Sequence, residues 1–358
     1  MSFGPTITTL DKPRVAVLGT GSLGKHHARI YAELAAAGQL EFAGVYDISP
    51  TSAREQAEKL GVKVFASAAE ACENSDALSI VTPTSTHYEL ARMLLSRGKH
   101  VLIEKPMTAT ADEAADLVAL AKERDAVLQV GHVERFNPVF KYLQTVATEP
   151  RFIETHRLSP YPARSTDVGV VLDLMIHDLD IVLAFVRSTV QSFDAVGVPV
   201  LSSTEDIANA RIRFANGCVA NLTVSRVSPE RMRKIRVFSG GKSASYISLD
   251  YRAQEGFIYR LADDQQQESS ILKKLFAAKD STIVSEFAGR KIIREPVPIE
   301  KDEPLKLELQ HFVQCVKAHG TPVVSGESAR QALQLAIEIA KQVRVGFESL
   351  PPSTGATA

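Results

Sequence analysis

This chain carries almost no net charge: 41 lysines and arginines face 42 aspartates and glutamates, for a formal charge of −1 at pH 7. A balance of that kind lacks the basic field that general nucleic-acid or membrane-surface binding needs, so neither partner is expected. Cysteine is scarce as well. Cys72, Cys218 and Cys315 stand far apart without the spacing of a metal site, so no metal is expected and they read as reduced structural thiols of a cytoplasmic protein. No apolar stretch is long enough to cross a bilayer. Met1-Ser2-Phe3-Gly4-Pro5 shows no basic region followed by an apolar run, so no signal peptide is expected. Internal repeats are absent too. What remains is an ordinary globular composition, 45% hydrophobic, and 358 residues, enough for two domains with separate cores.

The first third alternates short apolar runs with amphipathic segments. Strands are expected at Arg14–Leu18, Phe42–Tyr46, Val62–Phe65, Ala77–Val81, Val101–Ile103 and Ala126–Val130. Helices are expected at Leu23–Ala37, Thr51–Leu60, Glu89–Ser96 and Asp112–Arg124, the last with Thr110 as N-cap and Glu113 three residues on. Such alternation implies right-handed crossovers and a doubly wound parallel sheet. After about residue 131 the pattern changes. A helix (Val139–Ala147), a strand (Phe152–Arg157) and a helix around Leu172–Val186 lead into successive strands. Ile207–Phe214 alternates, Asn216-Gly217 turns it back into Cys218–Val227, and Gly240-Gly241 separates Ile235–Phe238 from Tyr246–Leu249. The expected fold class is therefore α/β, with an N-terminal Rossmann-type doubly wound sheet and a C-terminal α+β domain whose open sheet is mostly antiparallel. Residues 263–304 read as a polar excursion. Helices at Leu307–Ala318 and Ser328–Val345 close the fold, and Pro351–Ala358 reads as a disordered tail.

Gly19-Thr20-Gly21-Ser22-Leu23-Gly24 fits Gly-x-Gly-x-x-Gly between the first strand and first helix, where a tight turn lets backbone approach a pyrophosphate at a helix N-terminus. Asp47 closes the second strand, where its carboxylate suits the adenosine ribose hydroxyls and repels a 2′-phosphate, favouring NAD over NADP. Thr82-Pro83-Thr84 lies at the same edge and suits cofactor ribose or pyrophosphate, although a plain helix-starting turn explains it equally. His87, one turn on, reads by itself as a surface histidine.

Glu104-Lys105-Pro106 ends a buried strand abruptly. Chemistry in open α/β sheets occurs at the carboxyl ends of strands, where the Lys105 ammonium would bind an alcohol oxygen and stabilise its alkoxide. The pattern alone serves equally a solvated lysine. Asp173 and His177, four apart on one helix, offer a carboxylate to hold an imidazole general base, with Asp180 three residues beyond. A simple helical ion pair is the competing reading.

Taken together and in order, Gly19–Gly24, Thr82-Pro83-Thr84 with His87, Glu104-Lys105-Pro106, and Asp173 with His177 make the chain resemble the Gfo/Idh/MocA oxidoreductases from about Arg14 to Val345. The resemblance implies NAD as cofactor, Lys105, Asp173 and His177 in catalysis, Glu104 as a cofactor-proximal acid, and His87 and Lys105 among the residues at the cofactor. Val130–Pro138 and Asp167–Asp180 are most similar to a narrower group that oxidises sugar nucleotides such as UDP-N-acetylglucosamine at the 3-hydroxyl. A diphosphate substrate calls for cations, and Arg157 and Arg164, with Arg135 behind them, are the candidates, each equally suited to a structural ion pair. The domains implied are residues 1–131 for NAD (ordered from about residue 12), 132–350 for substrate and oligomerisation, and a tail at 351–358. A homodimer or homotetramer would form through the sheet face around Ala210–Val227 and Lys234–Leu249. Two other readings stay open, an inositol or free-sugar dehydrogenase and a non-catalytic NAD-binding regulator.

Overall fold

In the computed structural model, residues 11–147, 149–161, 168–241, 244–261, 282–287 and 290–348 are described. Contacts divide them into two compact units, one of residues 1–136 and 303–334, the other of 137–302 and 335–358.

Five strands build the first unit: β1 (Arg14–Leu18), β2 (Glu41–Tyr46), β3 (Ala77–Ile80), β4 (His100–Glu104) and β5 (Leu128–Gly131), all parallel in the order β2-β1-β3-β4-β5. The chain leaves β1 toward β2 and then resumes on β1's other side at β3. This reversal opens a crevice at the carboxyl ends of the strands, where the glycine loop lies. The helices are α1 (Gly24–Ala36), α2 (Pro50–Leu60), α3 (Ala68–Glu73), α4 (His87–Ser96) and α5 (Ala111–Glu123). Thr110 and Glu113 form the expected capping box.

Two local expectations fail. Val62–Phe65 is no strand but touches β2 through a single bridge, Val45 to Val64. Gly44 lets the segment approach, because a Cβ there would overlap the Lys63 carbonyl oxygen. The short α3, capped by Ser67 on the Glu70 N–H, has too few residues to show a period. The chain also returns to this unit through α8 (Pro304–Ala318), which a linear division at 131 does not contain. Leu309, Phe312, Val313 and Val316 join the core of Val17, Ile30, Tyr31 and Leu34, at about 2 kcal/mol per buried side chain.

His100 is part of this framework. Its Nδ1 accepts from the Val127 N–H at 3.0 Å, and burial, reinforced by His319, pushes its pKa down to about 4. The unfolded chain therefore takes up a proton before the folded one does, and stability falls as pH drops from about 6.5 toward 4. Urea unfolding at pH 7 and pH 5 is expected to show a lower midpoint at pH 5, with His100→Asn reducing the difference. An unchanged difference in that variant would remove His100 from the account.

The second unit carries a nine-stranded sheet, ordered β13-β14-β12-β11-β10-β6-β9-β8-β7. Its strands are β6 (Pro150–Leu158), β7 (Val190–Val198), β8 (Ile207–Phe214), β9 (Val219–Ser225), β10 (Met232–Ser239), β11 (Ser245–Asp250), β12 (Glu255–Leu261), β13 (Thr282–Phe287) and β14 (Arg290–Pro296). The pairings are antiparallel except β6 with β9. One face is buried by Ile153, Ala210, Ile212, Leu222, Val224, Ile235 and Val237, with α6 (Pro138–Val146) and α7 (Ile176–Val186) in the same unit. The other face is only half covered. The 263–304 excursion contains β13 and β14. Residues 262–281 and the tail at 351–358 lie outside the described residues. The expected single helix from Leu172 instead begins as a π turn, Val171–Met175, and becomes α-helical only at Ile176. The last helix among the described residues is α9 (Gly326–Glu348), counted to the first unit through Gln334 and to the second from Leu335.

Candidate active site

The glycine loop leaves β1 with Gly19 at φ 94°, a conformation other residues resist. A Cβ at Gly19 would overlap the Val81 carbonyl oxygen, and one at Gly24 the Gly19 carbonyl oxygen, whereas a Cβ at Gly21 would meet open space. Two glycines thus close the turn, and the third leaves backbone open to a ligand. Leu23, at the N-cap of α1, provides no side-chain cap, and the first turn holds no acidic residue. The Lys25 and His26 N–H groups are met by the Gly21 and Leu23 carbonyls, so it is the positive helix end itself, beside the exposed Gly21 and Ser22, that fits a pyrophosphate.

Asp47 ends β2 and ties the loop down. Its Oδ2 accepts from the Thr20 N–H at 2.6 Å and the Thr20 hydroxyl at 3.0 Å, and its Oδ1 accepts from the Ser49 N–H at 2.8 Å. A carboxylate has about four acceptor sites, so one remains for a ribose hydroxyl.

Thr82 and His87 come together, but not as the sequence suggested. His87 is buried, not a surface residue. Its Nε2 lies 2.8 Å from the Thr82 carbonyl oxygen and its Nδ1 3.0 Å from that of Pro106, so one ring joins the loops after β3 and β4. Burial pushes its pKa below the ordinary value, against the pull of the two carbonyls. Pro83 starts a 3-10 turn, Thr84–Thr86, and the Thr86 hydroxyl donates to Thr82 Oγ1 at 2.7 Å.

Glu104, the last residue of β4, is 8% exposed and lies 3.1 Å from Nε2 of the fully buried His27. Gly131 leaves room for that carboxylate, since a Cβ there would meet Glu104 Oε1 at 2.7 Å. His27 was not anticipated. Its place on α1, facing inward at helical spacing with Ile30 and Tyr31, was the only signal available. Half-buried Lys105 follows at the strand's end, joined to Pro106 by a cis peptide.

In the second unit, Asp173 occupies the π turn and His177 the first turn of α7, and both are half-buried. Single π turns recur at functional sites. The arginines are distributed differently from the expectation. Arg157 is buried in a two-pronged ion pair with Asp178, Nε to Oδ2 at 3.1 Å and Nη2 to Oδ1 at 3.0 Å. Arg135, in the first unit, donates to the Val323 carbonyl at 3.1 Å. Arg164 lies outside the described residues. Among the described residues no cluster of three potential ligands could hold a metal ion, and no helix is long and apolar enough to cross a membrane.

Comparison with known proteins agrees with this architecture. A family model described as the oxidoreductase family with NAD-binding Rossmann fold, Gfo/Idh/MocA, matches residues 13–132, and the Gfo/Idh/MocA C-terminal domain model matches residues 146–244. The chain is similar to UDP-N-acetylglucosamine 3-dehydrogenase of Acidithiobacillus ferrooxidans, 34% identical over 94% of this chain and 97% of the relative. A solved structure of that enzyme superposes with a TM-score of 0.83, covering 94% of this chain and 99% of the other. It is also similar to scyllo-inositol 2-dehydrogenase (NAD(+)) of Bacillus subtilis, 27% identical over 93% of this chain and 95% of the relative.

Proposed function

The chain belongs to the Gfo/Idh/MocA oxidoreductases, NAD-dependent sugar dehydrogenases with a Rossmann domain, and from that premise we propose that it oxidises the 3-hydroxyl of UDP-N-acetylglucosamine to a ketone. The observation that carries this reading is 34% identity, sustained over 94% of the chain, to an enzyme named for that reaction. Gly19–Gly24 with the α1 N-terminus would hold the pyrophosphate, and Asp47 the ribose. Thr82, Pro83, Thr84 and Glu104 belong to the same strand ends, with His87 fixing their loops. When bound, NAD supplies the acceptor for the hydride leaving the sugar carbon.

The chain's own residues handle the proton and the charge. His177 takes the hydroxyl proton, Lys105 stabilises the oxygen as its negative charge grows, and Asp173 orients the imidazole and balances its charge once protonated. Arg135 and Arg164 are the remaining candidates for the diphosphate. Arg157 is a weak one, because both prongs of its guanidinium already hold Asp178.

We assign the half-covered sheet face to a second copy of the chain, as a cytoplasmic homodimer or homotetramer. A row of rings crosses it, with centroids 5.7 Å apart for Phe152–Phe238, 4.8 Å for Phe238–Tyr246 and 5.2 Å for Tyr246–Tyr259. Aromatic surface of that kind favours burial against a partner.

The second reading is a polyol dehydrogenase, favoured by the similarity to the inositol enzyme. Incubating the protein with NAD and, in separate reactions, UDP-N-acetylglucosamine, UDP-glucose and myo-inositol separates the readings. NADH formation is expected with the acetylated nucleotide sugar; where 2-oxoglutarate is added to reoxidise tightly held cofactor, the ketone and 2-hydroxyglutarate are expected instead, without net NADH. Turnover of myo-inositol alone would overturn the assignment in favour of the second reading, and no turnover with any substrate would favour a non-catalytic regulator.

A further inference from the structure

The helix that bears Asp173 and His177 has no cap of its own. Its first residues are Val170 and Val171, and Val170, at the N-cap, offers no side-chain acceptor. An α or π turn nonetheless begins with N–H groups that find no partner within the helix. Both of these are met by one distant residue: the Val170 N–H donates to the Glu205 carbonyl oxygen at 3.1 Å, and the Val171 N–H to Glu205 Oε1 at 3.2 Å. Glu205 is 7% exposed. Its carboxylate reaches the helix only because residue 169 is glycine, since a Cβ there would overlap both carboxylate oxygens. A carboxylate is also the group that a positive helix end favours.

Glu205 is itself anchored by its neighbour. Asp206 Oδ2 accepts from the N–H groups of Val200, Leu201 and Ser202 at 2.7, 2.6 and 2.9 Å, which folds loop 199–205 around one carboxylate. Its Oδ1 accepts from the Ser202 hydroxyl at 2.8 Å and from Arg226 Nε at 2.7 Å. Burial alone would raise the Asp206 pKa, but these donors hold it well below the carboxylate range. Arg226, 1% exposed, completes the connection. Its Nη1 donates to the Val168 carbonyl at 2.6 Å, immediately before Gly169, and its Nη2 donates to Ser202 Oγ and Thr204 Oγ1 at 2.8 and 2.9 Å.

We infer that Glu205, held by Asp206 and Arg226, is a positioning residue for the reaction: it sets the start of the helix that presents Asp173 and His177. None of the three needs to touch substrate. The inference rests on the roles proposed above for Asp173 and His177. The network closes within one unit around the turn that precedes both residues, and a displacement of about 1 Å at a general base can lower turnover on the order of 100-fold.

The test compares Glu205→Ala, Gly169→Ala and Glu205→Gln with the unaltered protein. Gly169→Ala leaves Glu205 chemically intact but displaces its carboxylate, and Glu205→Gln keeps an acceptor at Oε1. The first two are expected to lower kcat for UDP-N-acetylglucosamine oxidation by about 10- to 100-fold, with KM for NAD within about twofold, and to speed hydrogen exchange of the amides in residues 168–178. Glu205→Gln is expected to restore most of the turnover and the protection. Unchanged kcat in Glu205→Ala and Gly169→Ala, while His177→Ala is inactive, overturns the positioning role alone. A fully active His177→Ala overturns the catalytic assignment of His177 and the positioning role with it, while the functional reading stands. If the unaltered protein does not oxidise this sugar nucleotide, that reading fails and hydrogen exchange decides: normal protection in both variants overturns the inference as well.

Discussion

His177→Ala is expected to lower kcat by about 10²- to 10⁴-fold, the usual worth of a positioned general base. Lys105→Ala should fall in a similar range, because an ammonium at the oxygen stabilises charge that exists mainly in the transition state. Neither change touches the glycine loop or Asp47, so NAD binding, followed by quenching of intrinsic tyrosine fluorescence or by calorimetry, should stay within a few-fold of the unaltered protein. That separation matters. A loss of NAD affinity parallel to the loss of turnover would mean that the residues support the cofactor site and not the chemistry. Lys105→Arg is a stringent companion, since it keeps the charge but replaces a compact ammonium with a planar fork. Asp173→Asn should be milder than His177→Ala, because it leaves the imidazole in place and removes only its compensating charge. Near-normal turnover in either alanine variant, with NAD bound, would overturn the catalytic assignment.

Much of the fold was legible in the sequence. The alternation from Arg14 to Val130 gave five of its six expected strands, and Thr110 with Glu113 gave the capping box, because these signals are local and carried by chemistry that repeats along the chain. The failures lie where structure depends on distant partners. Helix α8 joins the first unit through contacts such as Gln129 Nε2 to the Glu308 carbonyl, 179 positions apart, which no periodicity encodes. Strand β12 was missed because its residues are half-buried on both faces and show no alternation. At the candidate site the glycines, Asp47 and the Glu104-Lys105-Pro106 corner announce themselves by residue type, whereas His87, His27 and Glu205 do not. Each of those three takes its role from a partner: the Pro106 carbonyl, the Glu104 carboxylate and the Val171 N–H. The π turn at Val171–Met175 was equally hidden, since its apolar residues suit an α-helix just as well.

Arg157 shows how one residue type serves two readings, and it yields the largest expected change in stability. Its position before the proposed catalytic helix suggested a phosphate ligand. In the structure it stands on β6 and grips Asp178 on α7, each side chain 4% exposed, so the pair fastens helix to sheet inside the second unit. Removing one partner leaves the other as a buried charge without its counter-ion, at a cost of about 3–5 kcal/mol. Arg157→Met alone, and Asp178→Leu alone, are each expected to lower the urea midpoint by that equivalent. The double variant should recover most of the loss, because two apolar side chains of similar volume need no compensating charge. A diphosphate ligand would behave differently: Arg157→Met would raise KM for the nucleotide sugar and leave unfolding almost unchanged. Urea unfolding of the two single variants and the double, with KM measured on those that fold, distinguishes these outcomes. Additive losses in the double variant would mean that the pair is not the unit that holds α7 in place.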